Sequence, residues 1–393
     1  MLIERDPIDA PTPRPGKFEP SLTDKVAFLS RGDIYRSPAF EVGRRETHMS
    51  HVFLAGDQVF KLKKPVRFPY LDFSTLARRE AACRAEVSLN RRLAPGVYRG
   101  IVPLVRTVHG LAIGGKGEVV DWLVAMRRLD ETQMLDRVIT EKRLRHWQLD
   151  QLAATLVQFY RRVSAPLITP AAHIAELQRS IAYNRRILFD PRFHLPSGAV
   201  RHVDAIQRRF LNERAGLLSE RVRGRHIVDG HGDLRPEHIC LGDPVRIIDC
   251  LEFNPRLRTV DPFDELAFLC IECERLGAAW AGEYLRRRVT RALHDGASEE
   301  LFTFYRCYRA TLRARLAIAH LLEIKPRTPE KWEPLARSYL QLAAADSVRL
   351  EGLLRKPGGR PKYLQRAAAE PPRLGAGQSQ LSRSYCARPR RRA

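Results

Sequence analysis

Two hydrophobic rhythms run along this chain, and the change between them divides it. Val52-Phe-Leu54 and Val59-Phe-Lys-Leu-Lys63 are short β-rich runs around a Gly56-Asp57 turn, which predicts a hairpin. Two-residue alternation sets Lys61 and Lys63 on one face of its second strand, together with Val59. Asp72-Phe-Ser-Thr75 then caps a helix from Leu76 to Leu93 that carries Glu80 and Glu86. Ile101 to Arg106 and Val119 to Met126, around a glycine-rich turn, predict further strands. Beyond Leu129 the spacing turns to three and four. It predicts helices over Glu141 to Ala165, Pro170 to Asn184, Val200 to Glu220, Glu299 to Leu322 and Pro329 to Leu354. Ser21 to Leu29 reads as a short helix ahead of the strands.

One stretch interrupts the helical half. Ile239 to Leu241, a Gly242-Asp243-Pro244 turn and Val245 to Ile248 predict a second hairpin. It is preceded by His231-Gly-Asp-Leu-Arg-Pro-Glu-His238 and followed at once by Asp249. The hairpin therefore holds one carboxylate, Asp233, in the loop before it and delivers a second, Asp249, at its far end. Phosphoryl transfer needs such a pair: one carboxylate orients the attacking hydroxyl and another anchors the ion that bridges nucleotide phosphates.

This stretch resembles the catalytic loop and metal-binding segment of the protein-kinase-like superfamily, and its H-G-D-L form is similar to the aminoglycoside and choline kinase branch. Further motifs carry the resemblance: Glu46-Thr-His-x-Ser50, Val59-Phe-Lys-Leu-Lys-Lys-Pro65, Leu89-Asn-Arg-Arg-Leu-Ala-Pro95 and Asp249-Cys-Leu-Glu-Phe-Asn254. Together, over about residues 20 to 350, they resemble an uncharacterised bacterial aminoglycoside-phosphotransferase-like family often fused to a C-terminal P-loop kinase domain. The resemblance implies an α+β, two-lobed protein-kinase-like fold, with a small mainly antiparallel β lobe and a larger α-rich lobe. The boundaries are a disordered start (1–20), a nucleotide-binding lobe (21–129), a catalytic and substrate lobe (130–354) and a basic disordered tail (355–393).

It also implies roles. Asp233 is the catalytic carboxylate. Asp249 is the metal ligand for Mg²⁺, and Lys63 is the ATP phosphate lysine held by Glu86, with Lys61 as the alternative lysine. Glycine is missing from the phosphate turn, where Thr47 and Ser50 supply hydroxyls instead. Met126 to Leu129 is the hinge that adenine meets through backbone groups. Asp264, in Asp261-Pro-Phe-Asp264-Glu-Leu-Ala, buttresses the catalytic loop. His231 anchors the loop by hydrogen bonding, and Glu252 is either a second carboxylate at the site or a surface acid. His238 departs from the pattern, standing where the family has asparagine. Imidazole is a poor ligand for Mg²⁺ and a better one for Mn²⁺, so the position is a brace, a changed metal preference or a mark of lost turnover.

Composition narrows the alternatives. No apolar run reaches the ~20 residues of a membrane span, and seven cysteines scattered through the core pattern suit a reducing, cytoplasmic setting. Cys270-Ile-Glu-Cys273 has no second pair and reads as core. The net charge of +23 concentrates in arginine, and from Arg355 onward eleven basic residues face one acid. A solvated tail explains that better than nucleic-acid binding does. No G-x-x-x-x-G-K-[ST] occurs, so a P-loop kinase partner is absent or encoded separately. The expected function is ATP-dependent transfer to a small-molecule hydroxyl acceptor, with a nucleotide-binding pseudokinase as the alternative. A hydrolase using His231, Asp233 and His238 lacks the further ligands it needs.

Overall fold

The computed structural model describes residues 19–35, 41–68, 70–323 and 326–355. The proline-rich start and the basic tail expected from the sequence lie outside them, apart from residues 19, 20 and 355. Ser21 opens helix α1 (Leu22–Leu29), where it and Asp24 cap each other reciprocally. Strands β1 (Gly43–Glu46), β2 (Ser50–Ala55) and β3 (Gln58–Lys63) follow, then a small hairpin of β4 (Arg67–Phe68) and β5 (Leu71–Asp72). Thr75 caps α2 (Leu76–Asn90), accepting the amide of Arg78 at 3.3 Å. Strands β6 (Tyr98–Thr107), β7 (Gly110–Ile113) and β8 (Glu118–Arg127) complete an antiparallel sheet in the order β1-β2-β3-β8-β6-β7.

Alternation along β3 sorts its side chains to two sides. Phe60 and Leu62 join Leu29, Phe53, Leu104 and Leu123 in the core beneath α1. Lys61 and Lys63 point to the opposite side, where α2 packs through Cys83 and Val87 against Val97, Tyr98 and Val124. Asp121 fastens both helices to the sheet, meeting Lys25 of α1 at 2.9 Å and Arg79 of α2 at 2.8 Å.

The rest is helical: α3 (Leu135–Thr140), α4 (His146–Arg162), α5 (Pro170–Leu188), α6 (Ser197–Glu213) and α7 (Ala215–Arg223). Then come β9 (Val228–Asp229), the hairpin β10 (Ile239–Cys240) and β11 (Arg246–Ile247), and β12 (Thr259–Val260), which pairs with β9. Helices α8 (Pro262–Arg275), α9 (Ala279–Leu293), α10 (Glu299–Ala319) and α11 (Pro329–Arg355) end the described chain. The architecture is a curled antiparallel lobe beside a larger helical lobe. The helix expected over 141–165 is α4, the single helix expected over 200–220 is two, and α3 and α9 carry no prediction from the sequence. Cys270 and Cys273 lie buried on α8, as core. No helix among the described residues is long and apolar enough to cross a membrane.

Candidate active site

The site begins with one glutamate serving two lysines. Glu86, on α2, has no exposed surface. Its Oε2 lies 2.6 Å from the Nζ of Lys63 and its Oε1 lies 2.9 Å from the Nζ of Lys61. The two lysines then diverge. Lys63 is buried against the Phe73 ring and reaches Glu252 Oε1 at 2.5 Å. Lys61 faces the cleft between the lobes and reaches Asp249 Oδ1 at 2.7 Å. Lys61, rather than the expected Lys63, is thus the lysine between the helix glutamate and Asp249. Register alone does not separate two lysines on one strand face; burial does. Glu252 proves to be part of the cluster and not a surface acid.

Two cations face three carboxylates here. Burial pushes the Glu86 carboxyl up, but Lys61 and Lys63 outweigh it and hold the group ionised below its usual range. For Glu252 burial wins over Lys63, and its carboxyl titrates above the ordinary value. Burial also opposes the charge on Lys61, yet Asp249 and Glu86 raise its pKa well above that of a free lysine. At Asp249, which is only partly buried, Lys61 and His238 outweigh the burial and keep the carboxylate charged.

The loop from His231 to His238 is built around backbone that only glycine tolerates. Gly232 has φ +86°, and a Cβ there would lie 2.9 Å from the carbonyl oxygen of Leu257. Glu265 Oε1 accepts the amides of His231 at 2.8 Å and Gly232 at 2.5 Å, while its other oxygen accepts the Tyr160 hydroxyl. The expected buttress, Asp264, points elsewhere and forms a two-pronged pair with Arg309. Its neighbour Glu265 supports the loop instead.

His231 anchors the loop at both nitrogens. Its Nε2 donates to the carbonyl of Ile248 at 2.9 Å, and its Nδ1 accepts the amide of Asp233 at 3.2 Å. Burial, reinforced by His238, pushes the imidazole down to about 4, so it stays neutral. His238 is engaged on both sides as well. Arg235 can only donate, so it gives a hydrogen bond to Nε2 at 3.0 Å, and the protonated Nδ1 donates to the carbonyl of Asp233 at 2.9 Å. The ring stands between the two aspartates, with Nδ1 3.7 Å from Asp233 Oδ2 and Nε2 3.6 Å from Asp249 Oδ2.

Asp233 carries its own cation: Arg235 Nε lies 3.1 Å from Oδ2. Burial raises the Asp233 carboxyl, but Arg235, His238 and Arg313 outweigh it and leave the group below the usual range. Asp249 sits in left-handed backbone at φ +63°, a conformation that the contacts around it must hold. Its amide donates to the Tyr98 hydroxyl at 3.2 Å, and the amide of Cys250 donates to Asn90 Oδ1 at 2.9 Å. Arg92 extends that grip, donating to the carbonyls of Asp229 and Gly230 at 2.9 Å each.

The remaining expected contacts meet a different environment. The Thr47 hydroxyl accepts the amide of Ser50 at 2.9 Å within its own turn, and Ser50 is buried. Thr47 is exposed, but its hydroxyl is engaged within the turn. Met126, Leu129 and Ile248, the residue before Asp249, all pack against the core around Val87, Val97 and Val124. The neighbouring amides of Arg127 and Arg128 donate to Val97 and Asp57, so those two are not offered to a base. Reading the sequence alone missed Arg235, Glu265, Tyr98, Asn90 and Arg92. Arg235 had a local signal, two residues past Asp233 in one loop; Asn90 and Arg92 lie in the Leu89–Pro95 motif without an assigned role, and Tyr98 acts across the lobes with no local signal.

An antiparallel sheet braced by a helix, a strand lysine on a helix glutamate, and a paired-aspartate loop on a helical lobe make the two-lobed protein-kinase-like fold. No family model matches the chain. It is 34% identical over 333 residues to uncharacterised proteins of Mycobacterium tuberculosis (strain H37Rv) and Mycobacterium bovis, an alignment covering 83% of this chain. The chain spans 64% of the length of these curated relatives. Among solved structures it is similar to a choline/ethanolamine kinase family protein from Mesorhizobium loti, at TM-score 0.48 and 16% identity, covering 89% of this chain and 99% of that one. It is also similar to aminoglycoside phosphotransferase APH(4)-Ia, at TM-score 0.45 and 12% identity, covering 86% and 100%. A separately encoded P-loop kinase partner finds no support among these relatives.

Proposed function

We propose that the chain is an ATP-dependent phosphotransferase of the aminoglycoside-phosphotransferase-like kind, acting on the hydroxyl of a small-molecule acceptor. The observation that carries the reading is Lys61 bridging Glu86 and Asp249 at 2.9 and 2.7 Å across the cleft. Lys61 binds phosphate oxygens, and Glu86 holds it in place with the help of Lys63 and Glu252. Asp249 is the ligand for a divalent ion, its side chain 45% exposed where that of Lys61 is 14%. ATP with its ion supplies the transferable phosphoryl group and screens its charge. Asp233 orients the acceptor hydroxyl and takes up its proton. Arg235, beside it, neutralises charge where the phosphoryl group must pass.

His238 acts as a brace in this reading, because its Nε2 lone pair is taken by Arg235. It becomes a metal ligand only when Arg235 turns away, and that arrangement would favour Mn²⁺ over Mg²⁺. The cations beside Asp233, Arg235 and Arg313, favour a neutral or anionic acceptor over a cationic one. The pseudokinase reading has one observation of its own, the ion pair of Arg235 with Asp233.

Calorimetry with ATP in Mg²⁺ and then Mn²⁺, on the wild type and Asp249→Ala, tests the proposal. Metal-dependent binding that the variant abolishes is the expected result. No binding with either ion overturns the assignment, and binding without ADP release over a broad acceptor screen favours the pseudokinase.

A further inference from the structure

Away from the aspartates, the turn between β1 and β2 meets the helical lobe through an unusual set of side chains. His48 stands on that turn, and its Nδ1 lies 3.2 Å from Glu323 Oε1. His320, just past α10, sends its own Nδ1 to within 3.0 Å of the same oxygen. The two imidazoles stack, with centroids 4.4 Å apart and planes 16° from parallel. The three ligand atoms lie within 4.8 Å of one another, the one such grouping of histidine, cysteine and carboxylate groups among the described residues.

We propose that His48, His320 and Glu323 form a binding site for a divalent transition ion of the Zn²⁺ type, which ties the β1–β2 turn to the helical lobe. Two imidazole nitrogens and one carboxylate oxygen make a donor set suited to zinc, whereas Mg²⁺ prefers oxygen alone. Tetrahedral zinc with bonds of about 2.0–2.1 Å keeps its ligand atoms about 3.3 Å apart. The two nitrogen–oxygen separations of 3.0 and 3.2 Å are close to that edge, and the stacked rings have to turn for both nitrogens to aim at one ion. A fourth position is left for water or an arriving oxygen ligand.

The surroundings hold the ligands in place. Trp332 covers the His320 ring at 3.9 Å between centroids, and its indole N–H is fixed by the carbonyl of Arg327 at 2.7 Å. Arg327 also reaches Glu46, at the other end of the turn, at 3.3 Å. The turn is thus already drawn toward the helical lobe at a second point, which lowers the entropy lost on binding the ion. Because none of its three ligands belongs to the Asp233 and Asp249 cluster, its occupancy can be read without any phosphotransfer.

The test uses the full chain stripped of metal and titrated with Co²⁺, which absorbs visibly in a tetrahedral field, followed by displacement with Zn²⁺. One equivalent of Co²⁺ with tetrahedral bands, displaced by Zn²⁺ and quenching tryptophan emission, is expected. His48→Ala, His320→Ala and Glu323→Gln should each lose the bands, while Asp249→Ala keeps them. Metal-free melting temperatures check that the variants remain folded. Absence of tetrahedral bands in the wild type overturns the proposal, as do bands unchanged in all three ligand variants; the cluster is then a hydrogen-bonded clip.

Discussion

Lys61 and Lys63 show how far two chemically identical side chains can be separated by burial. Lys63 neutralises Glu86 and Glu252 inside the lobe, so Lys63→Ala strands the buried Glu252, leaves Glu86 with Lys61 alone, and should cost about 3–5 kcal/mol of stability. Lys61→Ala leaves Glu86 paired through Lys63, and the expected outcome is a modest change in denaturant midpoint with loss of nucleotide binding. Denaturant melts and ATP titration on both variants distinguish the two roles. Asp233→Ala should lower turnover on the order of 10²–10⁴-fold with the fold retained, the usual scale for a positioned base. A near wild-type rate in steady-state kinetics would remove Asp233 from the mechanism.

His231 adds a pH dependence. Its folded-state pKa of about 4 lies below its ordinary 6.5, so the unfolded chain binds the extra proton between those values. Stability should therefore fall as pH drops from about 6.5 toward about 4, by at most ~3 kcal/mol from this residue. Melts of the wild type and His231→Asn across that range should show a shallower slope in the variant.

At the scale of elements, the catalytic loop is held from three directions. Glu265 on α8 grips its first amides, His231 ties it to the strand leading to Asp249, and Asn90 with Arg92 reaches it from the end of α2. Gly232→Ala adds a Cβ against the Leu257 carbonyl in left-handed backbone, a strain of at least about 1–2 kcal/mol. Because Gly232 adjoins Asp233, nucleotide-dependent turnover should fall more than the melting temperature indicates. Parallel assays of both quantities check this.

For the whole molecule, the two lobes meet at Asp249 and again at the turn carrying His48. A ligand that bridges Lys61 and Asp249 binds only the assembled cleft, so it must stabilise the fold. At a hundred times its dissociation constant the gain is about 2.7 kcal/mol. A rise in melting temperature with ATP and metal, missing in Asp249→Ala, is the expected result.

The sequence by itself determined the succession of elements and the loop chemistry, because those signals are local. Alternation set the two lysines on one face of β3, Thr75 and Asp261 marked helix starts, and His231 to Asp249 kept both aspartates around one hairpin. Tertiary structure decided what local pattern cannot encode. It chose Lys61 over Lys63 at Asp249, because only packing against Phe73 and Glu252 buries one of them. It chose Glu265 over Asp264 for the loop, since adjacent helix residues point about 100° apart and only one can face a given neighbour. It tied the Thr47 hydroxyl into its own turn, and it brought His48 to His320 and Glu323, more than 250 residues further along the chain. Charges take their roles from what surrounds them, and those surroundings exist only once the chain has folded.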